Sequence, residues 1–513
     1  MDGLRDSSRR RVALIEAGSP GLNIYSHVAM GRGTAMLATV ARDAGYDVRA
    51  FIEDVSGKGS VDWEWVSGAD VIGFSAITCT LTRTAELVAQ ARAANPRATI
   101  VLGGPEPTCA TGRAFLAGPD FVIRGEGELS FPAFLRALLL GRGDVREVPG
   151  VCWREDGRVR EGPPPRQLTK AEVQALPLVD NSLVAGIEAR TAGLVWRSRG
   201  CPERCNFCEV CEMWPRYVLR DEEKSVEELL RCQDEGASGV FLIDDNAAAN
   251  KPSFKRFLKR AIERGYARLL VVQMRADAVF DREGRIDREL LRLLKRVAST
   301  TLVCVGVESS ADEDLDAVGK HTDSKRMARA MEAMRRYGLL VHGMFIAFAG
   351  DTRETLRRNG EYARKHVTTL QYLFETPLPG TKRTAEHERA GRVLYDKLAD
   401  LKFLDGMHIA LRPELMSSRE MQESVLREYR RFYSWARVQA ALVRGLLFRH
   451  RLLSPAQRAY LRNLRPWHRI KTWVLFHVEY KLAPWTLLRI GRQRVLAFLR
   501  DAEYADYLAR LEG

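Results

Sequence analysis

Short apolar runs separated by helical patterns recur from Val12 to Phe374, and this alternation is the strongest constraint on what the chain can fold into. Successive β–α–β units build parallel sheets covered by helices. In the first third, Val12 to Ala17 reads as a strand, Gly33 to Gly45 as a helix ended by a glycine, and Asp47 to Ile52 as a second strand. Val71 to Ile77 is a third strand, Leu81 to Ala94 a helix closed by Pro96, and Thr99 to Leu102 a fourth strand. The pattern resumes with Gly193 to Trp196, Val240 to Ile243, Leu269 to Gln273, Thr301 to Val307, Leu339 to Phe348 and Leu370 to Phe374. The expected class is α/β: an N-terminal doubly wound parallel sheet, then a partial (β/α)6 barrel, then a helical C-terminal domain.

A chain of 513 residues exceeds what one hydrophobic core usually supports. The expected divisions are 1–150, a connector over 151–190 marked by Pro163-Pro164-Pro165 and Leu176-Pro177-Leu178, a barrel over 191–400 and a basic helical part over 401–513. Ser225 with Glu228 has the pattern of a capping box opening a barrel helix.

Between the two alternating regions lies Arg199-Gly200-Cys201-Pro202-Glu203-Arg204-Cys205-Asn206-Phe207-Cys208. Cys201, Cys205 and Cys208 in one tight loop can bring three soft thiolates to a metal centre. A closed zinc site needs a fourth ligand, which Cys211 offers. A disulfide framework is disfavoured: nine Cys is a low density, and Met1 to Arg11 has no apolar stretch of the secretory kind. A reduced, cytoplasmic protein is expected. The spacing, with aromatic Phe207 before the last Cys, resembles the radical S-adenosylmethionine (SAM) enzymes. That resemblance implies a [4Fe–4S] cluster on Cys201, Cys205 and Cys208, with the iron left open chelating SAM.

At the carboxyl ends of the N-terminal strands stand Ser75, Thr78 and the run Gly103-Gly104-Pro105-Glu106-Pro107-Thr108, followed by Phe121-Val122-Ile123-Arg124-Gly125-Glu126-Gly127-Glu128. Such sheets bind ligands beyond these strand ends, and paired glycines let a flat group approach the backbone. The order of pieces resembles the cobalamin-binding domain that precedes many radical SAM domains, which implies cobalamin near Ser75, Thr78, Gly103, Gly104, Gly125 and Glu126. One feature departs from the best-known cobalamin domains: the only histidine of the region, His27, lies outside any Asp-x-His-x-x-Gly loop. A domain that binds a nucleotide, or nothing, is the open alternative.

In the barrel, Asp244-Asp245-Asn246 ends a strand where barrel enzymes keep their sites. By resemblance, Phe207, Asp244, Arg275, Asp277 and Glu308 fall where the family contacts SAM. Each charged residue among them has a structural alternative as a barrel ion pair. Phe345 to Thr352, Thr376 to Thr381 and Asp405-Gly406-Met407-His408 also resemble segments of the cobalamin-linked subgroup. Cys79, Cys109, Cys152, Cys232 and Cys304 read as small core residues.

Met421 to Leu447 has long helical periodicity, and the charge is concentrated just beyond its middle. Arg437 to Arg500 holds fourteen Lys or Arg and one acid, Glu479, and so carries +13 of the net +14. Cations interleaved with Trp467, Trp473, Phe476 and Trp485 suit an anionic membrane surface or an amphipathic lipid. A solvated helical cap is the alternative, and nucleic acid ranks last because no nucleic-acid module is visible. The combined resemblance implies a methyltransferase acting on an unactivated carbon of a lipid or secondary metabolite, fed by an external electron donor such as flavodoxin or ferredoxin. An oxidative cyclase using the same cofactors and a non-catalytic sensor are the competing functions.

Overall fold

The computed structural model describes residues 10–19, 32–189, 192–395, 397–448, 458, 461–462 and 465–511; His27 lies outside them. Five strands, β1 (Arg11–Glu16), β2 (Asp47–Ile52), β3 (Val71–Ser75), β4 (Thr99–Gly103) and β5 (Phe121–Ile123), pair in parallel. Alternate residues of β1 enter different cores. Ala13 and Ile15 pack with Leu87 and Val88 of helix Leu81–Ala94. Val12 and Leu14 pack with Met36 and Ala38 of helix Arg32–Asp43. Burial on both faces explains why these strands read as unbroken apolar runs. The strand order places β2 and β3 on opposite sides of β1, which opens a crevice at the carboxyl ends of β1 and β3.

The sheet continues where the sequence suggested an extended connector. β6 (Val151–Glu155) and β7 (Arg158–Glu161) form a hairpin antiparallel to β5. Asp156 and Gly157 both take positive φ, 52° and 74°, the Asp-Gly turn that matches the twist of paired strands. The remaining connector is adhesive. Ala185 N–H donates to Ala50 of β2 at 2.9 Å, while Leu168, Val173 and Leu176 pack on Trp196 at the start of the next domain.

The second sheet comprises β8 (Ala192–Val195), β11 (Gly239–Leu242), β12 (Leu269–Gln273), β13 (Thr301–Glu308), β14 (Leu340–Ala347) and β15 (Thr369–Phe374), all parallel in that order. A two-stranded ribbon, β9 (Ser198–Arg199) and β10 (Val218–Leu219), brackets the cysteine loop. The arc is open, with β8 and β15 as its edges. An open strand edge must be covered or paired, and at β15 two tyrosines of the C-terminal helices do this. The Tyr429 hydroxyl accepts from Tyr372 N–H at 2.7 Å, and the Tyr433 hydroxyl donates to Leu370 C=O at 2.7 Å.

The C-terminal part is helical, over Ser418–Phe432, Trp435–Phe448, Pro466–Phe498 and Ala502–Arg510. The expected single helix from Met421 to Leu447 is two, interrupted at Tyr433 and Ser434, where Tyr433 turns in to β15. Tyr429→Phe keeps the ring and removes the acceptor for a buried strand N–H, along with a long hydroxyl contact to Met407 Sδ at 3.9 Å. We expect a loss of about 1–3 kcal/mol, measurable as a lower urea midpoint with unchanged slope.

Candidate active site between two strand ends

The cysteine loop is clamped before it is a ligand set. Asp244, buried at the end of β11, accepts from Arg197 N–H at 2.6 Å, Ser198 N–H at 3.1 Å and the Arg197 guanidinium at 3.2 Å. That fixes the chain leaving β8. Gly200 then turns with φ 75°, where a Cβ would stand 2.7 Å from Arg216 C=O. Farther along, Asn206 N–H donates to Val318 C=O at 3.3 Å and the Asn206 carboxamide to Ala317 C=O at 2.9 Å. Cys208 N–H donates to Cys205 C=O at 3.2 Å. The Cys211 thiol donates to Glu203 C=O at 3.0 Å, which makes it a staple of the same loop.

Cys201, Cys205 and Cys208 are free and half-buried. Burial pushes the Cys201 thiol up to about 11 and that of Cys208 up to about 12; Cys205 is also raised by burial, against the pull of Lys320 and Arg275. Among the described residues no three His, Cys, Asp or Glu side chains converge on a single-ion position. An iron–sulfur cube binds each thiolate at a different corner, and three half-buried thiols in one loop are the soft donors that such a cluster takes. Phe207 is half-buried within the loop.

Around the loop stand charged strand ends. Arg275 forks onto Asp277, at 3.1 and 2.8 Å, and reaches Lys320 C=O at 2.9 Å and Glu203 of the loop at 3.5 Å. Glu308 ends β13 at a register shift with φ 60° and is ion-paired with buried Lys320, whose ammonium also donates to Gly306 C=O at 2.6 Å. A non-glycine residue held there is uncommon and carries strain. Arg275, Glu308 and Lys320 lie close enough to the cysteine loop to act on Cys205. Asp244 plays a different part: its oxygens are committed to Arg197 and Ser198 beneath the loop. Its neighbour Asp245 faces the space above, with its carboxyl pushed up to about 7 by burial and then by Asp244.

That space is a cavity of about 390 Å³ between the two sheets' carboxyl ends, lined mainly by apolar side chains. One wall is the N-terminal sheet: Ser75, Gly103, Gly104, Gly125 and Glu126 all line it. Gly104 has φ 106°, and a Cβ there would stand 2.8 Å from Ala76 C=O. Thr78 is not on this wall; its hydroxyl is buried on Glu106 at 2.7 Å, which in turn holds Arg113. The opposite wall includes Trp196, Met213, Trp214 and Asp245. Trp196 Nε1 and Arg32 Nε are buried without a protein partner on its lining. Glycines on the lining together with these two unpartnered buried donors fit a broad ligand bearing carbonyl acceptors at its rim, as cobalamin's side-chain amides do.

Six charges, three buried and three part-buried, join the walls. Arg199 pairs with Glu126 at 2.7 Å and with Glu128, while Glu228 pairs with Arg32 at 2.6 Å and with Arg220. All three guanidinium groups pack on Trp196, at 5.5, 4.4 and 5.0 Å from its ring for Arg32, Arg199 and Arg220.

Comparison with known proteins decides what this arrangement belongs to. Residues 26–135 match the B12 binding domain family and residues 197–363 the radical SAM superfamily. The chain is a B12-binding radical SAM protein. It is 28% identical to an uncharacterized methyltransferase of Pyrococcus horikoshii over 61% of this chain and 68% of that one. It is 26% identical to the anaerobic magnesium-protoporphyrin IX monomethyl ester cyclase of Rubrivivax gelatinosus over 71% of this chain and 66% of that one. With the hopanoid C-3 methylase of Methylococcus capsulatus it shares 25% identity over 88% and 84% of the two chains. The chain thus spans about two thirds of the first two relatives. The fold is that of the radical SAM methyltransferase TsrM of Kitasatospora setae, solved with cobalamin and a [4Fe–4S] cluster bound: TM-score 0.64 at 15% identity, covering 95% of this chain and all of the other.

In the B12-binding radical SAM protein the turn after β15 packs beside the cysteine loop and the glycine loop. Gly380, after β15, lies 3.4 Å from Glu212 and 3.9 Å from Cys109, measured from where its Cβ would be. Arg383 N–H donates to Asn206 C=O at 3.2 Å. The turn Thr376 to Thr381 therefore roofs the junction of cysteine loop and glycine loop. Glu209 hydrogen-bonds Cys109 there, its carboxyl raised to about 7 chiefly by burial. His408 is not among the residues that line the cavity. It is buried against Phe403, Phe498 and Tyr507 with Nδ1 3.0 Å from Asp405. Asp245 is within the strand-end run Asp244-Asp245-Asn246, though Asp244 is the residue singled out in the sequence; Trp196 and Arg199 flank the loop's entry, and Arg32 has no signal in the sequence. Asp244→Ala leaves Arg197 charged, buried and without its carboxylate. We expect a loss of ~3–5 kcal/mol in chemical denaturation, with iron retention lost as well, whereas Asp245→Asn leaves the denaturation midpoint unchanged.

Proposed function

We propose that this protein is a cobalamin-dependent radical SAM methyltransferase that methylates an unactivated carbon of a lipid or another apolar metabolite. The observation that carries the reading is the single cavity onto which both the glycine wall and the edge of the cysteine loop open. Chemistry of this kind is supplied by the cofactors: a reduced cluster with SAM supplies one-electron cleavage, and cobalamin supplies a transferable methyl group. Cys201, Cys205 and Cys208 would hold the cluster. Arg275, Asp277 and Glu308 offer the charges that SAM's carboxylate, ribose and ammonium need. Ser75, Gly103, Gly104, Gly125 and the Trp196 and Arg32 donors would seat the corrin.

The remaining task of the chain is positional, since small misplacements of reacting atoms are costly. The paired charges between the walls fix their separation. The roof built by the Thr376 to Thr381 turn, together with the apolar lining, excludes water from the junction. The chain holds no electron source of its own in this reading, so an external one-electron donor of the flavodoxin or ferredoxin kind completes it. The similarity to a hopanoid methylase supports an apolar substrate. The similarity to a cyclase keeps one competing outcome in view, in which the same cofactors remove hydrogens and no methyl is transferred.

The deciding experiment is anaerobic reconstitution followed by iron, sulfide and corrinoid analysis, and then SAM cleavage with a reductant. The expected result is four irons and one corrinoid per chain. Cys205→Ala should lose the cluster and all 5'-deoxyadenosine formation. Gly104→Val, at φ 106° and against Ala76, should cut corrinoid content at least ~10-fold while leaving iron intact. With substrate, a product heavier by one methylene supports methyl transfer; loss of hydrogens would move the assignment to the cyclase class. Intact cofactors without SAM cleavage would leave a sensor.

A further inference from the structure

The basic helix Pro466–Phe498 takes no part in the cavity, and its two ends differ. Its C-terminal portion belongs to the body: Leu488, Val495 and Phe498 are buried in the barrel-side core. It runs antiparallel to helix Trp435–Phe448. Gly491 lies against the Tyr433 ring, Arg492 donates to Tyr433 C=O at 3.2 Å, and Gly445 faces Lys481 C=O closely enough that a Cβ would clash at 2.3 Å. This register carries the first turns, 466–478, past the end of the partner helix.

Those turns present apolar side chains outward. Trp467 is 75% exposed, Ile470 59%, Trp473 48%, Val474 43% and Val478 45%. Steps of three or four residues put them on one helix face. Val443, Leu446 and Leu447 are exposed at the adjoining end of the partner helix. Exposed apolar side chains gathered in this way mark an interaction surface. Arg444, Arg462, Arg465 and Arg469 are exposed at the same end, within a segment of +13.

We propose that this helix end docks the protein on an anionic lipid bilayer, with Trp467, Ile470, Trp473 and Val474 in the interface and the arginines against headgroup phosphates. A second copy of the chain would bring two strongly cationic surfaces together, which like-charge repulsion opposes. Nucleic acid would match the cations and leave the tryptophan face in water. Among the described residues no helix is long and apolar enough to cross a membrane, so the mode is lying on the surface. Tyr480 of the same helix packs at Gly338, the turn that leads into the amino end of β14. The docking face is therefore at the barrel end opposite the cavity, and it anchors the protein without feeding the site.

The test is flotation of the reconstituted full chain with vesicles of phosphatidylcholine alone and of phosphatidylcholine with about 30% phosphatidylglycerol. Binding is expected to the anionic vesicles only. It should fall at least ~10-fold on raising salt from 0.1 to 1 M, which shortens the Debye length from ~10 to ~3 Å. The triple variant Trp467→Ser, Ile470→Ser, Trp473→Ser and the double variant Arg462→Glu, Arg465→Glu should each lose binding while keeping the wild-type iron and corrinoid content. In the unmodified protein, tryptophan emission should be quenched by lipids brominated near the headgroup end of the acyl chain. Equal binding to both vesicle types, no quenching, or full retention of binding in both variants overturns the proposal. So does a dimer, or retention on duplex DNA, that disappears in the triple variant.

Discussion

The position of the cysteine loop depends on Trp196 and the three arginines stacked on it. Arg199 sits two residues before Cys201 and pairs with Glu126 and Glu128, which follow the last parallel strand of the N-terminal sheet. Arg32, at the start of a helix in that sheet, crosses to Glu228 on the barrel's first helix, where Arg220 joins it. Three cations and three anions balance, and each is largely buried. Buried ion pairs add little net stability compared with apolar packing, but losing one member is costly. Their use here is geometric. An apolar interface would tolerate sliding; guanidinium groups that are both ion-paired and stacked on a ring fix direction as well as distance, and the two walls of a shared cavity must keep their separation.

The alternation of strand and helix was legible because its cause is local: a parallel strand buried on both faces must be apolar throughout, and its crossover helix must be amphipathic. The same locality made the cysteine loop legible as a ligand set. Reading failed where a residue's role is decided by what folds against it. Asp244 and Asp245 are adjacent acids at one strand end, and only the path of Arg197 determines that the first is a clamp and the second faces the cavity. Thr78 reads like Ser75, yet Glu106, far along the chain, captures its hydroxyl. His408 has the composition of a catalytic turn and sits instead in a knot of aromatic rings supplied by the last helices. The hairpin at Asp156-Gly157 is a different case: its turn signal is in the sequence, but its strands are short and the prolines that follow suit an extended connector equally well.

The connector and the C-terminal helices solve one problem from two sides. A six-stranded arc has two edges and an incomplete wall, unlike a closed eight-stranded barrel. At β8 the connector lays Leu168, Val173 and Leu176 over Trp196, and the N-terminal domain completes that side. At β15, hydroxyls from Tyr429 and Tyr433 meet backbone groups that a further strand would otherwise take. The arc can then stay open at its carboxyl end, where a second large cofactor must reach the same space as the first. An eight-stranded closure would occupy the place where the glycine wall now stands.

This division also explains where charge is placed. At the cavity and the cysteine loop five cations, Arg199, Arg32, Arg220, Arg275 and Lys320, are each paired with an acid. Such pairing keeps the field of the site local, so a half-buried thiolate or a bound anion responds to its neighbours alone. The unbalanced charge is confined to the C-terminal helices, remote from β4 and β11. A cationic surface there can act on a distant partner through a screened field without disturbing the pairing that holds the two strand ends in register.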